Sequence, residues 1–302
     1  MGMQNGVNLN QYMDLANLHS KDTSQFTLVS TKISAWDDAI SSWVQGTDAN
    51  RPTLTSGVPI FDGASDQLIR SAEISTTVFS MYLVLKDTGA IGKIFLGAQT
   101  ASDYMVHTSF SGGAFDGIGV NVGGVSKAVF RAGIKGNRYS ILSIRRNGNI
   151  LTAKLNDRTL FQTSNTFAGE ATKIARLMAY NGGGFFMGGG VKALCISSQN
   201  LSDADDLKVR NKLYSDYNLS TETAIENVVG FGDSNTVGTG SISYLVSLGN
   251  SLGVRDANAA ISGSLCSGPL ATAGVNRYQN DVITRPYTDY VVIQYGTNDI
   301  NA

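Results

Sequence analysis

Two stretches near the carboxyl end carry residue types that can do chemistry: VVGFGDSNTVG from Val228 to Gly238, and VVIQYGTNDIN from Val291 to Asn301. A serine placed after a strand, as Ser234 is, can attack a carbonyl carbon when a base removes its proton and nearby N–H groups hold the oxyanion. The chain has two histidines, His19 and His107, and both lie far upstream of that serine. Ser234, Gly263 and Asn298 each follow an apolar, strand-like run, so all three fall where an open parallel sheet gathers its ligands, beyond the carboxyl ends of the strands.

Those residues need a scaffold. The segment reads as strand ENVVGF, turn GDSNTVG, helix SISYLVSLGNSLG, strand VRDANAAIS, a loop and strand DYVVIQYG. A strand feeding a helix and then another strand is the order of a parallel α/β sheet. Upstream the pattern differs. From Gln25 to about Ser198, short β-branched or aromatic runs such as TTVFSMYLVLKD, DYMVHTSF and GGVKALCISS are split by Gly, Asn and Asp turns, which predicts a two-sheet sandwich. In ILTAKL, Ile150, Thr152 and Lys154 share a wet face and Leu151, Ala153 and Leu155 a dry one. Asn147-Gly148 predicts a hairpin turn, and Asn156-Asp157 begins a second reversal. Gly182 to Gly184 and Gly188 to Gly190 read as tight turns around one short strand, FFM.

The run LSDADDLKVRNKLYSDYNLS predicts a helix that closes the sandwich, with Ser202 as N-cap, acidic residues in the first turn, and Leu207, Val209, Leu213 and Tyr217 on its apolar face. The expected fold is multidomain: residues 1–24 form a leader, read as either an oligomerisation arm or a loose terminus, 25–220 an all-β jelly-roll sandwich, and 221–302 an incomplete α/β segment. In the leader, YMDLANL gives a short apolar helical face, and a homo-oligomer is expected.

Composition excludes several classes. Lys+Arg 23 against Asp+Glu 24 leaves a formal net charge of -1, which gives no electrostatic footprint for nucleic acid. No apolar stretch is long enough to span a bilayer, and the amino terminus has no basic region followed by an apolar run, so neither membrane insertion nor a Sec signal peptide is expected. The expected location is extracellular or on a virion. Cys195 and Cys266 fall in different predicted domains and read as buried free thiols. Trp36 and Trp43 could stack on a sugar ring, although packing is the usual role of such side chains in a sandwich. Asp37, Asp38, Asp62 and Asp66 could hold calcium, but no dense Asp-x-Asp-x-Asp loop occurs and turn-capping is expected instead. His107 has no Cys or second His nearby, and His19 sits in a polar leader where solvation is expected; no cofactor or metal is expected.

Trp36-Asp37, Arg51-Pro52, Phe61-Asp62-Gly63, the many strands and the closing helix together resemble the concanavalin A-like, laminin-G-type jelly rolls of bacterial carbohydrate-active and phage tail proteins. Members of that fold often bind glycans and some only act as spacers. The downstream blocks GDSNT, NAAISGS and YGTNDI resemble, in order, the blocks of the SGNH, or GDSL-type, hydrolases, which have a flavodoxin-like fold. The resemblance implies that Ser234 is the nucleophile, and that its own N–H, that of Gly263 and the Asn298 side chain hold the oxyanion, with Asp233 and Asp299 bracing the loops. Asn235 replaces the commoner leucine. The family's Asp-x-x-His base has no counterpart here, so the chain is read as cut within its second domain. The resemblances imply the front part of a glycan-directed esterase, acting on O-acetyl groups of a bacterial surface or extracellular glycan and itself inactive for want of the histidine. The alternative is a phage-tail or cell-surface attachment protein with an inert hydrolase-like tail. No sugar-contacting residue is assigned; exposed aromatics with Asn or Asp on one sheet face or loop cluster are expected.

Overall fold

The computed structural model describes residues 7–87, 92–100, 102–110, 115–131, 139–160, 167–181, 184–219, 227–232, 255–258 and 290–294. The chain divides into two units, Met1–Thr221 and Glu222–Ala302. Among the described residues the first holds β1 (Ala16–His19), β2 (Phe26–Val29), β3 (Lys32–Asp37), β4 (Ser42–Val44), β5 (Thr53–Thr55), β6 (Val58–Asp62), β7 (Leu68–Thr76), β8 (Val78–Asp87), β9 (Lys93–Gly97), β10 (Tyr104–Phe110), β11 (Phe115–Val122), β12 (Val125–Arg131), β13 (Ser140–Asn147), β14 (Ile150–Leu155), β15 (Arg158–Thr159), β16 (Thr172–Leu177) and β17 (Gly188–Ser197), followed by α1 (Asp203–Tyr217).

All pairings in this unit between named strands are antiparallel, and they build a β-sandwich. One layer runs β15-β14-β13-β8-β17, with β1 and β6 sharing the outer edge of β17. The other runs β12-β11-β10-β9-β16-β7-β4-β3. Strand β8 shows why the sequence folds this way. Phe79, Met81, Leu83 and Leu85 on one face and Ser80, Tyr82 and Val84 on the other are all fully buried, as in a central strand covered on both sides. The second face lies under α1, whose Val209, Leu213, Tyr214 and Tyr217 form one cluster with Tyr82, Val84, Ile141, Ala193 and Cys195.

The helix begins where expected. The Ser202 side chain accepts the N–H of Asp205, and Asn218 ends the helix in the left-handed conformation at φ 48. Its buried face differs from the expected one. Asp206, Val209, Arg210, Leu213, Tyr214 and Tyr217 point inward, while Leu207 is exposed. The helical spacing is regular, but two of its inward positions are charged and paired with each other, so a search for apolar residues alone misplaces the stripe.

The strand β14 is wet at Ile150 and Thr152 and dry at Leu151, Ala153 and Leu155, as its alternation predicts. The hairpin before it turns one residue later than expected, through Gly148-Asn149, with Gly148 at φ 58 in the first turn position. Gly188 to Gly190 are not a turn; they open β17 and pair with β6.

The leader is corrected most. Residues 9–11 make a single 3-10 turn, Leu9 and Met13 are buried against α1, and β1 pairs in register with β17, Ala16 opposite Ile196 and Leu18 opposite Leu194. From residue 7 onward the segment is part of the sandwich, because Leu9, Met13, Ala16 and Leu18 lose water only by packing there.

In the second unit the described residues form β18 (Asn227–Gly232), β19 (Arg255–Asn258) and β20 (Tyr290–Gln294), a parallel sheet with β18 at the centre. The helix expected over 241–253 lies outside the described residues. Among the described residues, β20 has a strand on one side only, and no helix is long and apolar enough to cross a membrane.

Candidate functional site

Ser234, Gly263 and Asn298 lie outside the described residues, as do Asp233, Asp299 and Cys266. The two histidines are described. His107 is fully buried on the inward face of β10. His19 is not solvated: its Nδ1 lies 3.0 Å from the Tyr217 hydroxyl, its Nε2 2.9 Å from the Asn17 side-chain oxygen, and its ring stacks on Tyr217. The Asn17 amide nitrogen donates to Asn10, which leaves its oxygen to accept from Nε2–H; Nδ1 then accepts from the tyrosine.

His19 borders a cavity of about 670 Å³ between the amino-terminal segment and the end of α1, with Asn8, Asn10, Gln25, Asp38 and Lys212 among its walls. These polar groups are already used. Asp38 accepts the backbone N–H groups of Asn17, Ile40 and Ser41, and Gln25 accepts from His19 N–H and the Trp36 indole. The cavity therefore fastens the amino-terminal segment. Burial holds the His19 imidazole below its ordinary 6.5, against the raising fields of Asp216, Asp22 and Asp38 and with that of Lys212. A depressed histidine is protonated first in the unfolded chain, so its share of stability is present above pH 6.5 and is lost as the pH falls towards the folded value. Wild type is expected to lose more stability between pH 7.5 and 5.5 than His19→Gln, measured by urea unfolding. Equal losses would exclude the effect. Asp66, pushed up to about 6 by burial, acts in the opposite sense, but is common to both proteins and cancels in the difference.

Other sequence candidates resolve into structure. Trp36 and Trp43 are fully buried partners across β3 and β4 and cannot stack on a ligand. Asp62 accepts the N–H groups of Ala64, Ser65 and Asp66, and Asp66 accepts that of Asp62, so both cap one turn. Burial works against the Asp62 carboxylate, but those donors hold its pKa below the ordinary value. Among the described residues no group of three or more His, Cys, Asp or Glu is arranged to hold a metal. Cys195 is buried and free, its thiol pushed up by burial.

A second cavity, of about 440 Å³, lies on the outward face of the β9–β12 layer. The register builds it. Tyr104 stands opposite Asn121, which stands opposite Ser126; Val106 stands opposite both Ile94 and Gly119, and Gly119 opposite Val129; Thr108 follows on the same face. The alternate residues Met105, His107, Ile118 and Val120 are buried in the sandwich. Gly119 makes the floor: a Cβ there would stand 2.9 Å from Val106 Cγ1 and 3.3 Å from Thr108 Cγ2, so any side chain would fill the depression.

One wall comes from the segment between β16 and β17. Tyr180 meets Tyr104 edge-on at 5.2 Å and Phe185 edge-on at 6.1 Å. Phe185 is 62% exposed and sits at φ 52, a costly backbone region for a bulky residue. Backbone bonds keep it there: Ile94 N–H donates to Phe185 C=O at 2.8 Å, and Ile94 bridges Phe186. The side chains of Thr108, Asn121 and Ser126 and the hydroxyls of Tyr104 and Tyr180 have no hydrogen-bond partner among the described residues. Burial, and then Tyr180, push the Tyr104 phenol up, so it remains a neutral donor. The result is an open cleft of aromatic rings and unused amide and hydroxyl groups. Sequence reasoning anticipated this kind of residue but not these positions, because β10, β11 and β12 reveal their shared face only through their register.

No known protein family and no curated protein matches the chain. Among solved structures, a GH54 α-L-arabinofuranosidase is similar at TM-score 0.46 and 12% identity, covering 60% of this chain and 50% of that one. A Trypanosoma rangeli sialidase is similar at TM-score 0.42 and 9% identity, over 59% of this chain and 30% of that one. The carbohydrate-binding module CBM66 from Bacillus subtilis gives TM-score 0.32 and 11% identity, over 52% of this chain and 91% of that one. The chain spans 26% of the length of a NanB sialidase that it also resembles.

Proposed function

We propose that the chain is a glycan-directed protein whose sandwich binds a saccharide in the outward cleft of β9–β12. One observation carries this reading: the cleft pairs an exposed aromatic ring, Phe185, with amide and hydroxyl groups that have no partner among the described residues, whereas the larger cavity near His19 has spent its polar groups on the fold. Sugars need both, because their C–H faces stack on rings while their hydroxyls must replace lost water bonds. A volume of about 440 Å³ suits a ligand of one or two rings. The test is a glycan array probed with wild type and with Ser126→Trp. Ser126 is exposed at the cleft, so the indole should block the cleft without disturbing the core. Binding by wild type that Ser126→Trp abolishes is expected; equal signals would place any binding elsewhere.

A second reading concerns the smaller unit, as the front of an SGNH-type serine esterase acting on acyl groups of the same glycan. Its support is the parallel sheet. The carboxyl ends of β18, β19 and β20 face one edge, and Ser234, Gly263 and Asn298 follow Gly232, Asn258 and Gln294 within a few residues of sequence.

A further inference from the structure

We infer that the cleft accepts neutral sugar rings and rejects acidic ones, with Phe185 as the stacking platform and Asn121 as the anchoring amide. This rests on the reading of the cleft as a saccharide site. The described residues that face the cavity, among them Tyr104, Thr108, Asn121, Ser126, Tyr180 and Phe185, include no charged side chain. A carboxylate seated on them would lose water and meet no cation, a penalty that a neutral hydroxyl does not incur. The neighbouring cation Lys127 is not available, since it is ion-paired with Glu170. The amide of Asn121 donates and accepts at once, and so do the hydroxyls of Thr108 and Ser126; this matches vicinal sugar hydroxyls better than a carboxylate, which only accepts.

The site is also graded along the strands. Tyr104, Asn121 and Ser126 are cross-strand partners at the aromatic end, while Thr108 stands opposite Gly117, and Gly117 opposite Arg131, at the other end. At the aromatic end the cationic register position is Arg176, opposite Gly97, which is itself opposite Tyr104, and its guanidinium donates to the Gln67 side-chain oxygen; Arg131 is the cationic position at the other end, two pairs removed from the Asn121 pair. A sugar held by the aromatic end is neutral at the ring that stacks.

The experiment is a glycan array of neutral and acidic oligosaccharides, followed by calorimetry on two matched pairs, lactose with 3′-sialyllactose and xylotetraose with tetragalacturonate, using the full chain. The neutral member is expected to bind at least about tenfold tighter. Phe185→Ala and Asn121→Ala should each weaken it by about tenfold or more, and Arg131→Ala should leave it unchanged. Phe185 is exposed, and an unchanged thermal midpoint would show that the variant is folded. Preference for the acidic members, lost in Arg131→Ala, would overturn the inference while leaving the cleft as a saccharide site. Silence across the array, or binding indifferent to both Phe185→Ala and Ser126→Trp, would overturn the site and the inference with it.

Discussion

Replacing Asp206 with alanine is expected to unseat α1 from the sandwich and to produce the largest loss of stability of any single polar substitution in the unit. The carboxylate is fully buried. It accepts from the Tyr82 hydroxyl at 3.1 Å, from Lys154 Nζ at 2.7 Å and from Arg210 Nε at 3.2 Å. Removing it leaves a buried phenol and two cations facing the gap, the situation in which breaking a buried pair costs about 3–5 kcal/mol. The lower end applies here, because Arg210 keeps Asp157 and the Lys154 side chain is 18% exposed. About 3 kcal/mol corresponds to a fall of roughly 6–12 °C in the thermal midpoint of a unit this size. Asp203→Ala is the control. Its side chain is 84% exposed and pairs with Arg145 at the rim, so the midpoint should hardly move. If the two variants melted alike, the helix would be held by its apolar contacts alone.

The same pair explains how much of the fold could be read in advance. Alternation in ILTAKL and the Ser202 cap are local signals, written within a few residues, and both appear in the structure. The inward face of α1 was obscured by Asp206 and Arg210, whose burial is tolerated only because each is the other's partner and Tyr82 and Lys154 complete the set. Strand β1 was hidden for a different reason. It has four residues, and its partner β17 begins at Gly188, so no local pattern distinguishes ANLH from a polar leader. His19 was misread with it. Once β1 pairs, the ring lies beside Tyr217 instead of in solvent. The cleft was legible only as a class of residue. Tyr104 and Asn121 meet through strand register, and Phe185 projects because of a strained backbone between β16 and β17, neither of which composition records.

The esterase reading leads to the largest expected effect on activity, and it turns on the histidines. A serine hydroxyl is a weak nucleophile near neutral pH, and loss of the histidine of such a unit costs on the order of 10⁶ in kcat. His107 is fully buried inside the sandwich, and both ring nitrogens of His19 are occupied by Tyr217 and Asn17. Neither presents a free ring nitrogen at the surface of its unit with which to take a proton. On that reading, three oxyanion donors without a histidine base would retain at most the residual catalysis that binding and charge stabilisation supply. The 302-residue chain is therefore expected to hydrolyse p-nitrophenyl acetate no faster than its Ser234→Ala variant. A chain that carries an Asp-x-x-His segment after Ala302 should hydrolyse it readily, and Ser234→Ala in that longer chain should return the rate to background. Asn298→Ala there should cost about 10²–10³, the usual effect of removing one oxyanion donor. Rapid, Ser234-dependent turnover by the 302-residue chain would show that another group serves as base. His19→Gln would then test whether that base is His19, which borders a cavity, since a rate that survives the substitution cannot depend on its ring.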